Sequence, residues 1–294
     1  VSHKQLLVSE SGPVIEIRKL SHTYLSGTPH EVRSLRDIDL EVTRGETVGI
    51  IGPSGSGKST LLFHLNGLFR PQSGEVQVLG VSLSDPDADL GDIRKRVGMV
   101  FQNPENQLFE RYAGDDAAFG PRNLKLSATE VRERVRNAMS MVGLPFSFKD
   151  RLITRLSAGE KRRLAIAGIL AMDPEVLVLD EPTASLDPEG RRELFNIIDL
   201  WRSERGRAVV IVSHHMEDII ELSDRIYVLS DGRIVMSGTT REIFSSSNKL
   251  EEIGLTLPAG IQLMNKLRER GYRFSSSFFS TDDFIREIEA MLNA

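Results

Sequence analysis

The stretch Gly52-Pro-Ser-Gly-Ser-Gly-Lys58-Ser59 constrains this chain more than any other, because it fills the pattern G-x-x-x-x-G-K-[ST] between an apolar run and a helix-like one. Thr47-Val-Gly-Ile-Ile51 is of buried-strand type, and Ser59-Thr-Leu-Leu-Phe-His-Leu-Asn66 carries apolar residues at helical spacing. The glycines fall where a strand must turn sharply into a helix, which is the context a phosphate-binding loop requires. Gly52, Ser54, Gly55, Ser56 and Gly57 are small enough for successive backbone N–H groups to curl around a phosphate, and the helix start adds a partial positive charge. Lys58 supplies a full charge against the β- and γ-phosphates, Ser59 offers a hydroxyl to Mg²⁺, and Thr60 completes the nucleotide-binding set. The alternative, an ordinary Gly/Ser turn, does not account for the fixed Gly-Lys-Ser ending.

At 294 residues the chain has room for one large domain and a small appendage. A net charge of −5 argues against a nucleic-acid surface as the main interface, since phosphate backbones select for clustered Lys and Arg. Arg94-Lys-Arg96 and Lys161-Arg-Arg163 read more simply as solvated helix faces. There is no cysteine, which excludes disulfides and thiolate chemistry. The longest apolar stretches, such as Ala208-Val-Val-Ile-Val212, fall far short of the roughly 20 residues of a membrane span. The N-terminal stretch has no signal-peptide pattern, so a soluble, cytoplasmic protein is expected.

Residues 1 to about 13 read as a loose leader. Val14–Ile17 then alternates as an edge strand would, and Leu35–Val42 alternates again, suggesting a small antiparallel sheet. Tyr24 lies between them and could stack on a nucleotide base or be a half-buried strand tyrosine. Glu75–Leu79 and Arg96–Phe101 read as strands, the second delivering Gln102 to its C-terminal end, where ligands bind in α/β sheets. Residues 103–126, with Pro104, Gly114 and Gly120-Pro121, read as loop. Capping boxes at Ser127-Ala-Thr-Glu130 and Ser157-Ala-Gly-Glu160 open two helices, the first stopped by Gly143.

Glu175-Val-Leu-Val-Leu-Asp180-Glu181-Pro182 is a strand buried on both faces that brings two adjacent carboxylates to its end. Beside a phosphate loop, Asp180 suits Mg²⁺ and Glu181 suits polarisation of an attacking water. A helix from Pro188 to about Glu204 leads to the strand Ala208–Val212, which ends at Ser213-His214-His215; a histidine there is structural or functional. Asp231-Gly232 marks a hairpin, and the main domain closes near Phe244. Ser245–Asn248 reads as a linker to two amphipathic helices, Pro258–Arg270 and Asp282–Leu292. Helices this short must pack on something, either the body of this chain or a partner.

Taken together, the phosphate loop, Gln102, Leu156-Ser-Ala-Gly-Glu160, Leu177–Pro182, Ser185-Leu-Asp187 and His214 resemble, in order and spacing, the ATPase subunits of ATP-binding-cassette (ABC) transporters. Gln102–Phe109, Ala118–Asn123 and Lys161–Gly168 are most similar to the ATPases of energy-coupling-factor (ECF) importers, which take up vitamins or transition-metal ions. The resemblance implies an α/β P-loop NTPase fold of ABC-cassette type over residues 14–244. Its core sheet would be mixed and largely parallel, with an antiparallel β subdomain and a helical signature subdomain at about 103–172. A short helical appendage at 245–294 would be associated with the dimer.

It implies, further, that two cassettes close head to tail around two ATP molecules, with Ser157 and Gly159 serving the partner's ATP. Tyr24 would stack on adenine and Gln102 would sense Mg²⁺ and water. Glu181 would be the general base, Asp187 would cross the interface and His214 would contact the γ-phosphate. The partners would be a second ATPase, a transmembrane coupling subunit and a substrate-binding membrane subunit, at the cytoplasmic face of the membrane; the residues at 158 and 160 favour a heterodimer over a homodimer. Because they connect Gln102 to the signature helix, residues 103–126 are expected to meet the coupling subunit; Asp115 and Asp116 could receive its arginines or, more simply, be solvated loop acids. Non-transport ABC ATPases of DNA repair or the ribosome are the competing class, but the short span from Gln102 to Ser157 and the single phosphate loop favour transport. Ala158 and Glu160 depart from the usual Leu-Ser-Gly-Gly-Gln. A methyl group and a negative charge there would weaken the site that uses this signature, unless Glu160 is turned back into its capping box.

Overall fold

The structure, a computed structural model, describes residues 12–184 and 186–272. Most of the expected leader and the whole of the expected helix at Asp282–Leu292 lie outside the described residues.

Six strands form the central sheet in the order β10 (Arg233–Thr239), β9 (Arg225–Ser230), β3 (Thr47–Ile51), β8 (Ala208–Val212), β7 (Val176–Asp180), β6 (Val97–Val100). β3, β6, β7, β8 and β9 run parallel, and β10 returns antiparallel through the Asp231-Gly232 turn. Both turn residues have positive φ, 47° and 74°, the geometry a two-residue hairpin needs to match strand twist. Because the parallel strands share a direction, the chain leaves β3, β6, β7 and β8 on one edge.

The parallel strands of this sheet are buried on both faces, which is why they are apolar without alternation. On one face Ile51, Val100, Leu177, Leu179, Val209 and Ile211 pack with the helices that follow. On the other, Val48, Ile50, Val176, Val178 and Val210 pack against a second, antiparallel sheet. That sheet has the order β2 (Val32–Val42), β1 (Ile15–Tyr24), β4 (Ser73–Val78), β5 (Val81–Ser82). Val14–Ile17 was expected at an edge, yet β1 is flanked on both sides; its polar residues alternate because only one face of this sheet is covered.

The helices α1 (Lys58–Leu65), α4 (Ala128–Met141), α5 (Ala158–Leu170) and α6 (Pro188–Ser203) lie where the periodicity places them, both capping boxes are formed, and α7 (Met216–Leu222) follows β8. α2 (Leu90–Arg96), capped by Asp89, was not anticipated. Nor was α3 (Ala113–Arg122), which replaces much of the expected loop at 103–126. Its glycines serve packing: a Cβ on Gly114 would stand 2.7 Å from Lys149 Cβ, and one on Gly120 would stand 2.6 Å from Met172 Cγ. Pro121 falls in the last turn of the helix.

The expected linker at 245–248 is also helical, divided between α8 (Thr240–Ser245) and α9 (Ser247–Glu252). Leu250, Leu255, Leu257 and, from α10 (Ala259–Glu269), Ile261 and Met264 are buried in the same apolar cluster as Ile211 and Val228. Truncating a buried methionine leaves a cavity that costs about 2–5 kcal/mol. Met264→Ala is therefore expected to lower the unfolding free energy of the whole chain in urea; no loss would mean that α10 is not anchored on this body.

Candidate functional site

The loop after β3 owes its shape to backbone crowding. A Cβ on Gly52 would stand 2.0 Å from the Leu229 carbonyl oxygen, and one on Gly57 would stand 2.5 Å from that of Ser34. Gly55 and Gly57 also have positive φ, 78° and 105°. The hairpin turn closes this wall: Gly232 N donates to the Ser56 carbonyl at 3.1 Å, and Arg36 N donates to that of Gly232 at 2.7 Å. Ser54 and Gly55 are exposed, whereas the Ser56 side chain is buried. Lys58 Nζ donates to the carbonyls of Gly52 and Pro53 at 2.8 and 2.9 Å. Burial lowers the affinity of Lys58 for its proton, against the opposing pull of Glu181 and Asp180.

β7 delivers the acids to this loop. Ser59 Oγ donates to Asp180 Oδ2 at 3.3 Å. Burial first, and the charge of Glu181 second, push the Asp180 carboxyl above the ordinary carboxylate range. Glu181 has φ 50°, a left-handed backbone that costs a side-chain-bearing residue on the order of 1–3 kcal/mol and persists where its surroundings over-determine it. Its N–H donates to the Val212 carbonyl at 2.9 Å, and its Oε2 accepts from the His214 backbone N–H at 3.1 Å. The same oxygen lies 2.7 Å from His214 Nδ1. Gln102 is exposed beyond the end of β6 on the same sheet edge.

Tyr24 borders the other side of α1. Its hydroxyl lies 3.0 Å from Thr60 Oγ1, which lies 2.9 Å from Ser34 Oγ, so the buried Thr60 hydroxyl is engaged by two side chains. The Tyr24 ring is half exposed and meets His22 edge-on at 4.6 Å. Behind it His22 Nδ1 and His64 Nε2 are 3.2 Å apart, with His64 fully buried.

Ser157, Gly159 and Asp187 form a separate group; among the described residues no hydrogen bond joins them to residues 52–60. Ser157 and Gly159 are exposed, and a Cβ on Gly159 would meet nothing within 4 Å. Gly159 and Asp187 border one groove of about 230 Å³, where Asp187 caps α6 by accepting from Gly190 N at 2.8 Å. Glu160 is turned back: its Oε2 accepts from Ser157 N at 2.7 Å and Ser157 Oγ accepts from Glu160 N at 3.2 Å. The negative charge feared at this position is thus held by its own helix start. Asp115 and Asp116 are engaged as well, the first with Arg122 at 2.9 Å and the second as acceptor for the N–H groups of Phe109 and Glu110.

The family model for ABC transporters matches residues 35–184, from within β2 to the segment after Glu181. The chain belongs to the ABC transporter family. Among curated relatives, the energy-coupling factor transporter ATP-binding protein EcfA2 of Symbiobacterium thermophilum is 48% identical over 278 residues, 95% of this chain and 96% of that one. EcfA2 of Clostridium perfringens is 46% identical over 90% of this chain and 94% of its own. Among solved structures, cbiO1 of Clostridium perfringens, part of the ABC transporter complex cbiONQ, is 35% identical with a TM-score of 0.73, covering 86% of this chain and 99% of that one. The ATP-binding cassette MJ0796, a dimer bound to ADP and Pi, is 30% identical with a TM-score of 0.69, over 77% and 99%. Among the described residues of this ABC chain, no helix is long and apolar enough to cross a membrane.

Three residues beside the site escaped the sequence reading. Arg162, expected on a solvated face, is buried; so are Thr183 and Asp218. For Arg162 and Asp218 the available signal was a polar residue within a helix; Thr183, in the turn after β7, carried none.

His64 gives the site a pH signature. Burial, and next the His22 ring, pull its imidazole down to about 4, against 6.5 ordinarily. The unfolded chain then binds a proton that the folded one refuses, so stability is full above about pH 6.5 and is lost as pH falls toward 4, by up to about 3 kcal/mol. Urea unfolding from pH 7 to 4 is expected to show this loss, and His64→Leu is expected to reduce it, with His22, also held down by burial, contributing in the same direction.

Proposed function

We infer that this chain is the ATP-binding and ATP-hydrolysing motor subunit of an ECF-type importer, acting at the cytoplasmic face of a membrane through separate membrane subunits and driving uptake of a vitamin or transition-metal ion. One observation carries the reading: Lys58, Ser59, Asp180, Glu181 and His214 gather on one edge of the parallel sheet, while Ser157 and Gly159 stand open on a separate helix start. The names of the relatives, energy-coupling factor transporter ATP-binding proteins, support it.

The residues suit Mg²⁺. Ser59 and Asp180 are hard oxygen donors in hydrogen-bond contact, and a divalent cation would offset the crowding of Asp180 by Glu181. When bound, Mg²⁺ would neutralise charge on the β- and γ-phosphates. Lys58 and the loop N–H groups grip those phosphates, and Gln102 and His214 face the γ-phosphate end. Glu181 accepts the proton of the attacking water, and His214, in contact with its carboxylate, orients it. Tyr24, fixed through its hydroxyl to Thr60, offers its ring to adenine.

A second cassette completes each site. Ala158 and Gly159 lie in the first turn of α5, where backbone N–H groups lack helical acceptors and suit the partner's γ-phosphate. Exposed Tyr112 lines a cleft of about 610 Å³ together with Asp115, Arg122 and Phe146, and on the same segment the exposed Phe109 and Phe119 meet edge-on at 4.8 Å. This is the surface we assign to the transmembrane coupling subunit.

Replacing a general base costs roughly 10²-fold or more. Glu181→Gln is therefore expected to cut ATP turnover by about that factor while leaving nucleotide affinity in place; near-normal turnover would remove Glu181 as the general base. Ala158 keeps a methyl group at the signature, which fits a heterodimer with unequal ATP sites. In the assembled complex Ala158→Gly is expected to raise turnover, and Glu160→Gln, whose partner N–H groups are already met, to add little. Unchanged turnover in Ala158→Gly would count against unequal sites.

A further inference from the structure

Glu181 sits in a backbone conformation that its own chain does not favour, so something must hold it there. The residues that follow it are gripped from two sides. From α5, the buried Arg162 guanidinium donates through Nη1 to the Ala184 carbonyl at 2.9 Å and through Nη2 to that of Pro182. Its neighbour Arg163 instead pairs with Glu193 at 2.9 Å. From α7, the buried Asp218 accepts a hydrogen bond from the hydroxyl of Thr183, which is 0% exposed. Asp218 also accepts from Ser213 Oγ at 3.4 Å and faces Arg191 at 3.6 Å.

Ser213 immediately precedes His214, whose ring and N–H hold the Glu181 carboxylate. The backbone after Glu181 and the side chain of Glu181 are therefore referred to one frame. A turn completes it, with Ala184 N donating to the Glu181 carbonyl at 3.1 Å. Burial weakens the hold of Arg162 on its proton, and the charge of Glu105, in the 3-10 turn Pro104–Gln107 after Gln102, opposes that loss. The turn after Gln102 packs against the signature helix, and that helix through Arg162 holds the chain leaving Glu181.

We propose that Arg162, Thr183 and Asp218 are positioning residues that clamp the segment after β7 and so aim the Glu181 carboxylate at the attacking water. The inference rests on the reading of Glu181 as general base. Arg162 suits the task because a planar fork reaches two carbonyls at once, which an ammonium cannot do with the same geometry. Because it extends from the helix whose first turn would face the partner's ATP, movement of that helix is felt at the base of this chain's own site.

The test uses the full chain in its purified complex, with ATP turnover, KM, nucleotide affinity and melting temperature measured on Arg162→Met, Arg162→Lys and Thr183→Val. Misplacing a reacting group by about 1 Å costs up to about 10²-fold, so Arg162→Met and Thr183→Val are expected to lower kcat about 10- to 100-fold. KM and nucleotide affinity should stay within about twofold, as for a loss confined to the transition state. Arg162→Lys should recover part of the rate. Residues that act through one another are not additive, so Glu181→Gln with Arg162→Met should be no slower than Glu181→Gln alone.

A normal kcat in Arg162→Met beside an inactive Glu181→Gln overturns the inference and leaves the base reading standing, as does a double variant whose losses multiply. Near-normal turnover in Glu181→Gln sinks the base reading, and the inference with it. Should Arg162→Met fail to fold, Thr183→Val decides: a normal kcat there overturns the clamp.

Discussion

Two carbonyl oxygens, those of Leu229 and Ser34, press on the phosphate loop where side chains would otherwise stand. Everything else at the site is placed relative to that contact. With Gly52 and Gly57 held against neighbouring backbone, the loop has one course open to it, and α1 begins where Lys58 can turn back over the loop carbonyls. The parallel register then does the rest. β8 lies beside β3 and β7 beside β8, so the acids of one strand and the histidine of another arrive at the same edge without any long-range search.

The charges at that edge are not balanced within the chain. Two adjacent carboxylates face one ammonium, and burial works against the ionised state of Asp180 and of Lys58 alike. In the proposed function a triphosphate with its metal ion would supply both missing signs: anion for the loop, cation for the acids. Glu160 shows the opposite solution. Its charge is absorbed by the N–H of Ser157, with Arg151 3.8 Å away, so a residue that looks hostile to phosphate is electrostatically quiet.

Most of this architecture was legible because it depends on local patterns: a Gly-rich turn between strand and helix, capping boxes, four apolar residues ending in two acids. What was hidden depends on tertiary contact. Gly114 and Gly120 punctuate a sequence as loop residues do, yet in α3 they let Lys149 and Met172 approach, and only the partner surface reveals it. β1 alternates like an edge strand because one face of its sheet is covered, whichever strands flank it. Arg162 belongs to a basic triplet whose other members face outward or pair at the surface, and a string of letters does not distinguish the arginine that turns inward.

The turn at Asp231-Gly232 shows where the functional unit ends. It lies well beyond residue 184, where the family model stops, and beyond His214, the last residue assigned to nucleotide. Yet it carries the N–H that ties down Ser56, and the strand before it supplies the carbonyl packed on Gly52. A fragment trimmed to the stretch that the family model matches would keep the whole phosphate loop and lose the buttress behind it. The smallest piece of this chain that grips ATP as the whole does must run at least as far as that hairpin.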